Sequence, residues 1–372
     1  MRVLFVSAPL LGHVFPMVPL AEALRADGHE VLVGTGGDAL AVHRTGLPVE
    51  DIAPGFRFDR IARRTLLRHP LIARAELAGR GGTRGVALLF GAANDQFADG
   101  VVRLADRWKP DLVVHEPLAV AGALAAARRG VPPVLHENSL FDGPELVRAT
   151  AARLVRAQLR SGVGVLRPSA AVLTIAPPSV VGERAGWPMR GVPYQGVGEL
   201  PDWLREPSAR PRILVTRSTV AGPGGSGLMS AVVRAASGVA AEFVLVRPDR
   251  RVLSRGPLPP NVRTVEWIPL NAALATCAGV VHHGGAGSVL GALAAGVPQL
   301  VVPGPGDRRC NATLVARRGA GLAVPERAIT AAELDRLVTD PGLAASAGQV
   351  SAEMAAMPTP AELVPRLEAL LG

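Results

Sequence analysis

Three short stretches of this chain carry residue types suited to holding an anionic, base-bearing ligand. The first is Val281 to Ser288, Val-His-His-Gly-Gly-Ala-Gly-Ser. It lies between an apolar run with strand character, Ala278 to Val281, and a helix-like segment, Val289 to Ala295, so its glycines fit a strand-to-helix turn. Such a turn points unpaired backbone N–H groups and the positive end of the helix dipole at an anion. Gly284, Gly285 and Gly287 let a phosphate come close to the backbone, Ala286 sits among them, Ser288 can add a hydroxyl donor, and His282 or His283 a ring N–H. The plainer alternative for so short a pattern is a glycine-rich turn flanked by core histidines.

The second stretch, Trp267-Ile268-Pro269-Leu270, ends an apolar run from Val262 to Val265. A Trp at a strand's carboxyl end can stack on a base while the backbone of Ile268 bonds the base edge; a buried structural Trp is the alternative. The third, Pro303 to Arg308 with Asn311 beyond, follows Gln299 to Val302. It brings a carboxylate, Asp307, and a guanidinium, Arg308, to another strand end, near where a sugar hydroxyl or phosphate could bind. Alone, this third stretch reads as a polar loop.

The surrounding pattern supplies elements able to position these loops. Arg2 to Ser7 reads as a strand, Ala8 to Val14 as a loop, Phe15 to Ala26 as a helix and Val31 to Val33 as a second strand. That β-loop-α-β order predicts a parallel sheet, since parallel neighbours need a crossover helix. Strands at Asp111 to Val114, Val131 to Leu135 and Ala170 to Ile175 continue the alternation, with a helix at Ala119 to Arg129. Phe56 to Phe97 breaks it, being rich in Arg and Gly with helix-like patches, as expected of an insertion lining a cleft or an exposed helical region. Pro, Gly and charge dominate Gly191 to Arg212, which reads as the domain boundary. A second βα series restarts at Arg212 and runs through Phe243 to Val246, Val262 to Val265, Gly279 to Val281 and Gln299 to Val302. The fold class is therefore α/β with two doubly wound halves, the ligand lying between them at the carboxyl ends of the strands.

Composition narrows the function classes. The 372 residues suit two domains, and 48% apolar content with mixed charge describes a folded protein. The two cysteines, Cys277 and Cys310, cannot build a disulfide framework, so a reducing, cytoplasmic location is expected. No uncharged apolar run of about 18 residues is present, and no stable membrane insertion is expected. The formal charge of +9 is almost all arginine, Lys109 being the one lysine. These arginines are scattered and aromatic content is 3%, which argues against nucleic acid as a partner.

In order, Trp-Ile-Pro-Leu, His-His-Gly-Gly-Ala-Gly-Ser and Gly-Val-Pro-Gln-Leu-Val-Val-Pro with its downstream Asp and Asn-Ala resemble the donor-binding signature of family 1 glycosyltransferases of GT-B fold. In particular the chain resembles the bacterial enzymes that attach deoxysugars to antibiotics and other natural products. The likeness extends to Gly12-His13 after the first strand and to the closing Met357-Pro358-Thr359-Pro360.

The resemblance implies residues 1–200 as an acceptor-binding domain, 209–354 as a nucleotide-sugar domain facing it across a cleft, and 355–372 as a helix returning to the first domain. It implies an inverting, metal-independent hexosyl transfer from a dTDP-sugar to an apolar small-molecule aglycone, with no cofactor, and it admits a homodimer. His13 matches the general base and Glu116 the acidic residue that orients it, where the family often has Asp; Glu137 is a rival for that place. His283 matches the diphosphate-contacting histidine, Gly284 to Ser288 the helix N-terminus beneath the phosphates, and Trp267 with Ile268 the base site. Ser218 and Thr219 fall in a loop that contacts phosphate or base. Asp307 matches the residue touching the donor sugar, and Arg308 stands beside it where the family commonly has Gln.

No Asp-x-Asp pair occurs, so the carboxylate platform of metal-dependent transferases is not visible. Two other readings stay open. Gly222 to Gly227 fits Gly-x-Gly-x-x-Gly with Asp249 beyond, the pattern of an NAD(P)-dependent oxidoreductase. An Arg-rich segment, Phe56 to Arg84, leaves room for a membrane lipid as the acceptor.

Overall fold

The structure is a computed structural model that describes residues 1–194, 199–218, 227–254 and 256–372. The chain divides into two compact units, one of Met1–Ile175, Arg184–Val192 and Met357–Gly372, the other of Ala176–Glu183 and Pro193–Ala356. Most of the first glycine-rich rival motif, Gly222 to Gly227, and Thr219 lie outside the described residues.

In the first unit the strands are β1 (Arg2–Val6), β2 (Glu30–Thr35), β3 (Val49–Asp51), β4 (Leu112–His115), β5 (Pro133–His136), β6 (Ala171–Thr174) and β7 (Trp187–Pro188). They pair in parallel in the order β3-β2-β1-β4-β5-β6-β7. In the second unit β8 (Arg212–Val215), β9 (Glu242–Val246), β10 (Val262–Val265), β11 (Gly279–His282), β12 (Gln299–Val301) and β13 (Gly321–Ala323) form a parallel sheet ordered β10-β9-β8-β11-β12-β13. Both are doubly wound, Rossmann-like sheets. Central strands such as β4, β5, β8 and β11 are buried along their whole length, as expected where crossover helices cover both faces.

Strand order reverses between β1 and β4 in one sheet and between β8 and β11 in the other, and in such sheets the crevice at the reversal is where ligands bind. The loops opening at these two reversals carry His13 and Glu116 in the first unit, and Ser218 and His283 in the second.

The stretch from Phe56 to Phe97 is helical: Phe58–Arg68, Pro70–Leu77 and the start of the 27-residue helix Gly82–Trp108. Its glycines obscure that in the sequence because they serve close packing. A Cβ on Gly100 would lie 2.1 Å from the Ile52 carbonyl, and one on Gly91 2.8 Å from Arg153 Cβ. The closing helix, Pro360–Glu368, begins with a capping box in which Glu362 N–H donates to Thr359 Oγ1 and Thr359 N–H to Glu362 Oε2. It packs on helix Val18–Ala26 of the first unit. Among the described residues no helix is long and apolar enough to cross a membrane.

Candidate active site

In the first unit, β1 leads through Ala8 into the short helix Leu11–Val14, which presents His13 with its side chain 21% exposed. Glu116 follows β4 and is fully buried. His13 Nδ1 lies 3.3 Å from Glu116 Oε2. The carboxylate also accepts from the amides of Ala8 (3.0 Å) and Leu118 (2.8 Å) and from Asn138 Nδ2 (3.1 Å). Burial by itself would raise the Glu116 pKa, but the His13 imidazole and these amides outweigh it and the net shift is downward. An ionised carboxylate there selects the imidazole tautomer with its proton on Nδ1, so that Nε2 is the nitrogen able to take a proton. The neighbouring strand-end imidazoles are unlike His13. His115 and His136 are fully buried and pushed down by burial, His136 to about 4, so they stay neutral.

Of the two glutamates it is Glu116 that faces His13; Glu137 is engaged elsewhere. Its carboxylate accepts from Gly143 N–H at 2.8 Å and pairs with Arg184 at 3.4 Å, while Arg184 also donates to the carbonyls of Leu140 and Phe141. Glu137 thus pins the loop that carries Asn138.

Two residues absent from the sequence expectations help to build this corner. Asn138, just beyond β5, braces the carboxylate. Asn94, buried in helix Gly82–Trp108, donates to the Leu118 carbonyl at 2.6 Å and accepts from Ala121 N–H at 2.9 Å, tying down the loop after Glu116. The same helix sets Phe90 against His13, ring centres 5.6 Å apart. Neither asparagine stands in a motif, and both act through contacts distant in sequence.

Replacing Glu116 with Gln should lower kcat by about 10²- to 10⁴-fold, since the amide no longer selects the Nδ1–H tautomer. The stability contributed by the ionised carboxylate is present above the ordinary carboxylate pKa and is lost as pH falls through the lowered folded value. The gap in urea stability between wild type and E116Q should therefore narrow on acidification; a gap independent of pH would contradict the assignment of Glu116 as an ionised partner.

In the second unit the glycine turn has the expected form with a shifted boundary. The helix begins at Ala286, three residues before the apolar run, because Ser288 and Val289 N–H already donate to the Gly285 carbonyl. Gly285 caps it with no side-chain bond and no acidic residue stands in the first turn, so the amides of Ala286 and Gly287 keep the positive end of the helix. Gly284 has φ +84° and packs against Val301 and Arg308, which only glycine tolerates without strain.

His282 is fully buried and both ring nitrogens are used within the fold: Nδ1 accepts from Gly284 N–H at 3.0 Å, and Nε2 donates to Gln299 Oε1 at 2.9 Å. This corrects the expectation that His282 could touch a ligand; it shapes the turn. His283 is the outward imidazole. Burial, then Arg308 and His282, push its pKa to about 3, so it is a neutral hydrogen-bonding group. Its buried Nδ1 has no hydrogen-bond partner among the described residues.

Trp267 is 60% exposed, excluding the buried structural alternative, and the Arg247 guanidinium lies 5.9 Å from its ring centre. The Ile268 side chain is in the core. Asn311, fully buried, donates to Gly284 O (2.8 Å) and Asp307 Oδ2 (2.9 Å), coupling the loop after β12 to the glycine turn. Arg308 Nη2 donates to Ser218 Oγ at 3.3 Å. Thus Ser218, His283, Asp307 and Arg308 belong to one connected set of strand-end loops.

Comparison with known proteins bears on the family and the fold. Residues 22–218 match the N-terminal domain, and residues 230–370 the C-terminal domain, of the family described as erythromycin biosynthesis protein CIII-like. The chain is 40% identical over 395 aligned residues to the elloramycin glycosyltransferase of Streptomyces olivaceus, spanning 100% of this chain and 98% of that one. The crystal structure of the glycosyltransferase SnogD from Streptomyces nogalater superposes with a TM-score of 0.83 at 37% identity, covering 100% of this chain and 99% of that one. The glycosyltransferase SsfS6 of Streptomyces sp. SF2575, complexed with thymidine diphosphate, gives a TM-score of 0.83 at 30% identity and covers 99% of each chain. These likenesses overturn the oxidoreductase alternative raised by Gly222 to Gly227. The chain belongs to the erythromycin biosynthesis protein CIII-like family of antibiotic deoxysugar transferases and is a glycosyltransferase of GT-B fold.

Proposed function

We propose that this enzyme moves a deoxyhexose from a dTDP-sugar to an apolar natural-product aglycone in the cytoplasm, by one inverting displacement that needs no metal ion. The thymine stacks on Trp267 with the Ile268 backbone at its edge. The diphosphate lies on the amides of Ala286 and Gly287, the Ser288 hydroxyl and the His283 ring, and Asp307 holds the sugar. The acceptor lies beside His13, whose Nε2 takes the hydroxyl proton as the acceptor oxygen attacks the anomeric carbon. The bond from that carbon to the β-phosphate oxygen breaks, and its electron pair leaves with dTDP. Fixed N–H donors stabilise the charge that develops on the departing phosphate.

The observation that carries this reading is the glycine turn: an uncapped helix N-terminus beside a neutral imidazole with an orphaned buried nitrogen. A relative bound to thymidine diphosphate supports the thymidine donor. The test is transfer from dTDP-deoxyhexoses and from UDP-glucose to polyketide aglycones in the presence of EDTA, read by mass spectrometry, with proton NMR of the product. The expected result is transfer from the dTDP-sugar with the anomeric configuration inverted. Strict dependence on a divalent cation, a retained configuration, or transfer only to a lipid acceptor would contradict it.

A further inference from the structure

The loops after three adjacent strands, β8, β11 and β12, converge on one side chain. Arg308 opens the helix that follows β12 and reaches Ser218 in the loop after β8 with a 3.3 Å hydrogen bond. It also packs on the turn after β11, where a Cβ on Gly284 would lie 3.2 Å from Arg308 O and 3.3 Å from Arg308 Cβ. Its charge is felt at His283, whose protonation it disfavours. The adjoining Asp307 carboxylate accepts from Asn311 at 2.9 Å and also attracts the guanidinium, which itself donates to the Ser218 hydroxyl. A partly buried cation held in this way has lost hydration that an arriving anion can replace.

We infer that Arg308 binds the donor's diphosphate, not its sugar, and stabilises the nucleoside diphosphate as it leaves. This rests on the nucleotide-sugar reading above. In the transfer step the β-phosphate oxygen gains the electron pair of the broken bond to the anomeric carbon while the acceptor's proton goes to His13. A planar guanidinium offers two parallel N–H groups to the oxygens on which that charge settles. Asp307 is then left to the sugar, and Ser218 orients the guanidinium.

The experiment is calorimetric titration of the full-length protein with dTDP and with thymidine, alongside turnover, for wild type, R308Q, R308K and S218A. The expected result is that R308Q weakens dTDP at least about 30-fold and lowers kcat about 100-fold, while thymidine affinity and the acceptor KM stay within about twofold. R308K should recover part of the dTDP affinity because it keeps the charge without the fork, and should bind dTDP with the same stoichiometry as wild type. S218A should weaken dTDP by a smaller factor than R308Q. Equal losses for dTDP and thymidine in both Arg308 variants would overturn the inference in favour of a structural role. An unchanged dTDP affinity with a raised KM for the nucleotide sugar would overturn it in favour of sugar binding. If the wild type itself does not prefer dTDP to thymidine, the nucleotide-sugar reading fails, and this inference with it.

Discussion

His13→Ala is expected to cut kcat for glycosyl transfer by about 10³-fold while leaving dTDP affinity within about twofold, the size of effect that loss of a positioned general base produces. The geometry behind this is a partly exposed imidazole whose Nδ1 faces a fully buried carboxylate at 3.3 Å. That carboxylate is itself held by two backbone amides and Asn138. An ionised carboxylate at that distance selects the tautomer with its proton on Nδ1 and leaves Nε2 as the nitrogen able to take a proton, the logic of a base oriented by a buried acid. The proposed mechanism gives His13 no contact with the nucleotide, so removing the imidazole should leave nucleotide binding in place. Initial rates at saturating acceptor and calorimetry with dTDP separate the two effects. Turnover equal to wild type would remove His13 from the mechanism.

The second large effect is expected at Gly287. Gly287→Asp should weaken dTDP by at least about 100-fold while the melting temperature holds or rises slightly. The two effects have opposite sign for one electrostatic reason. A Cβ at Gly287 meets nothing within 4 Å, so the fold accommodates the side chain. The first turn of helix Ala286–Ala294 has no acidic residue, and a carboxylate there interacts favourably with the helix dipole by about 0.3–1 kcal/mol. Replacing an exposed helical glycine adds a gain of similar size. A dianionic phosphate, however, would meet that carboxylate at the place where the amides should receive it. Thermal melts and calorimetry on one sample test both halves. Undiminished dTDP affinity would mean that no phosphate approaches this turn.

The sheets were legible because their strands are apolar runs broken by turn residues, and every second-unit strand named from the sequence is present within a residue or so. Legibility failed where a residue's role depends on a partner far along the chain. Phe56 to Phe97 reads as an insertion or exposed helical region, and it is helical, but the bounds of helix Gly82–Trp108 do not show in the sequence; its Gly91 and Gly100 answer to Arg153 and the Ile52 carbonyl, which a Cβ there would crowd. His282 and His283 could not be told apart because β11 is buried on both faces, which erases the alternation that would have marked the inward residue. Only the bond from His282 to Gln299 on the neighbouring strand does so. The start of the glycine-turn helix was misplaced because glycine is a poor helix former by propensity, whereas the Gly285 carbonyl already anchors the first turn. Glu116 and Glu137 look alike in sequence, each following a His at a strand end; Arg184, from a distant segment, takes Glu137 out of contention.

The measurement that bears most directly on the account is a crystal structure of the protein with dTDP. The diphosphate oxygens are predicted within about 2.7–3.2 Å of the Ala286 and Gly287 amides and of a His283 ring nitrogen, with thymine against Trp267. A diphosphate bound elsewhere, with those amides turned to solvent and the His283 ring closed off, would contradict it.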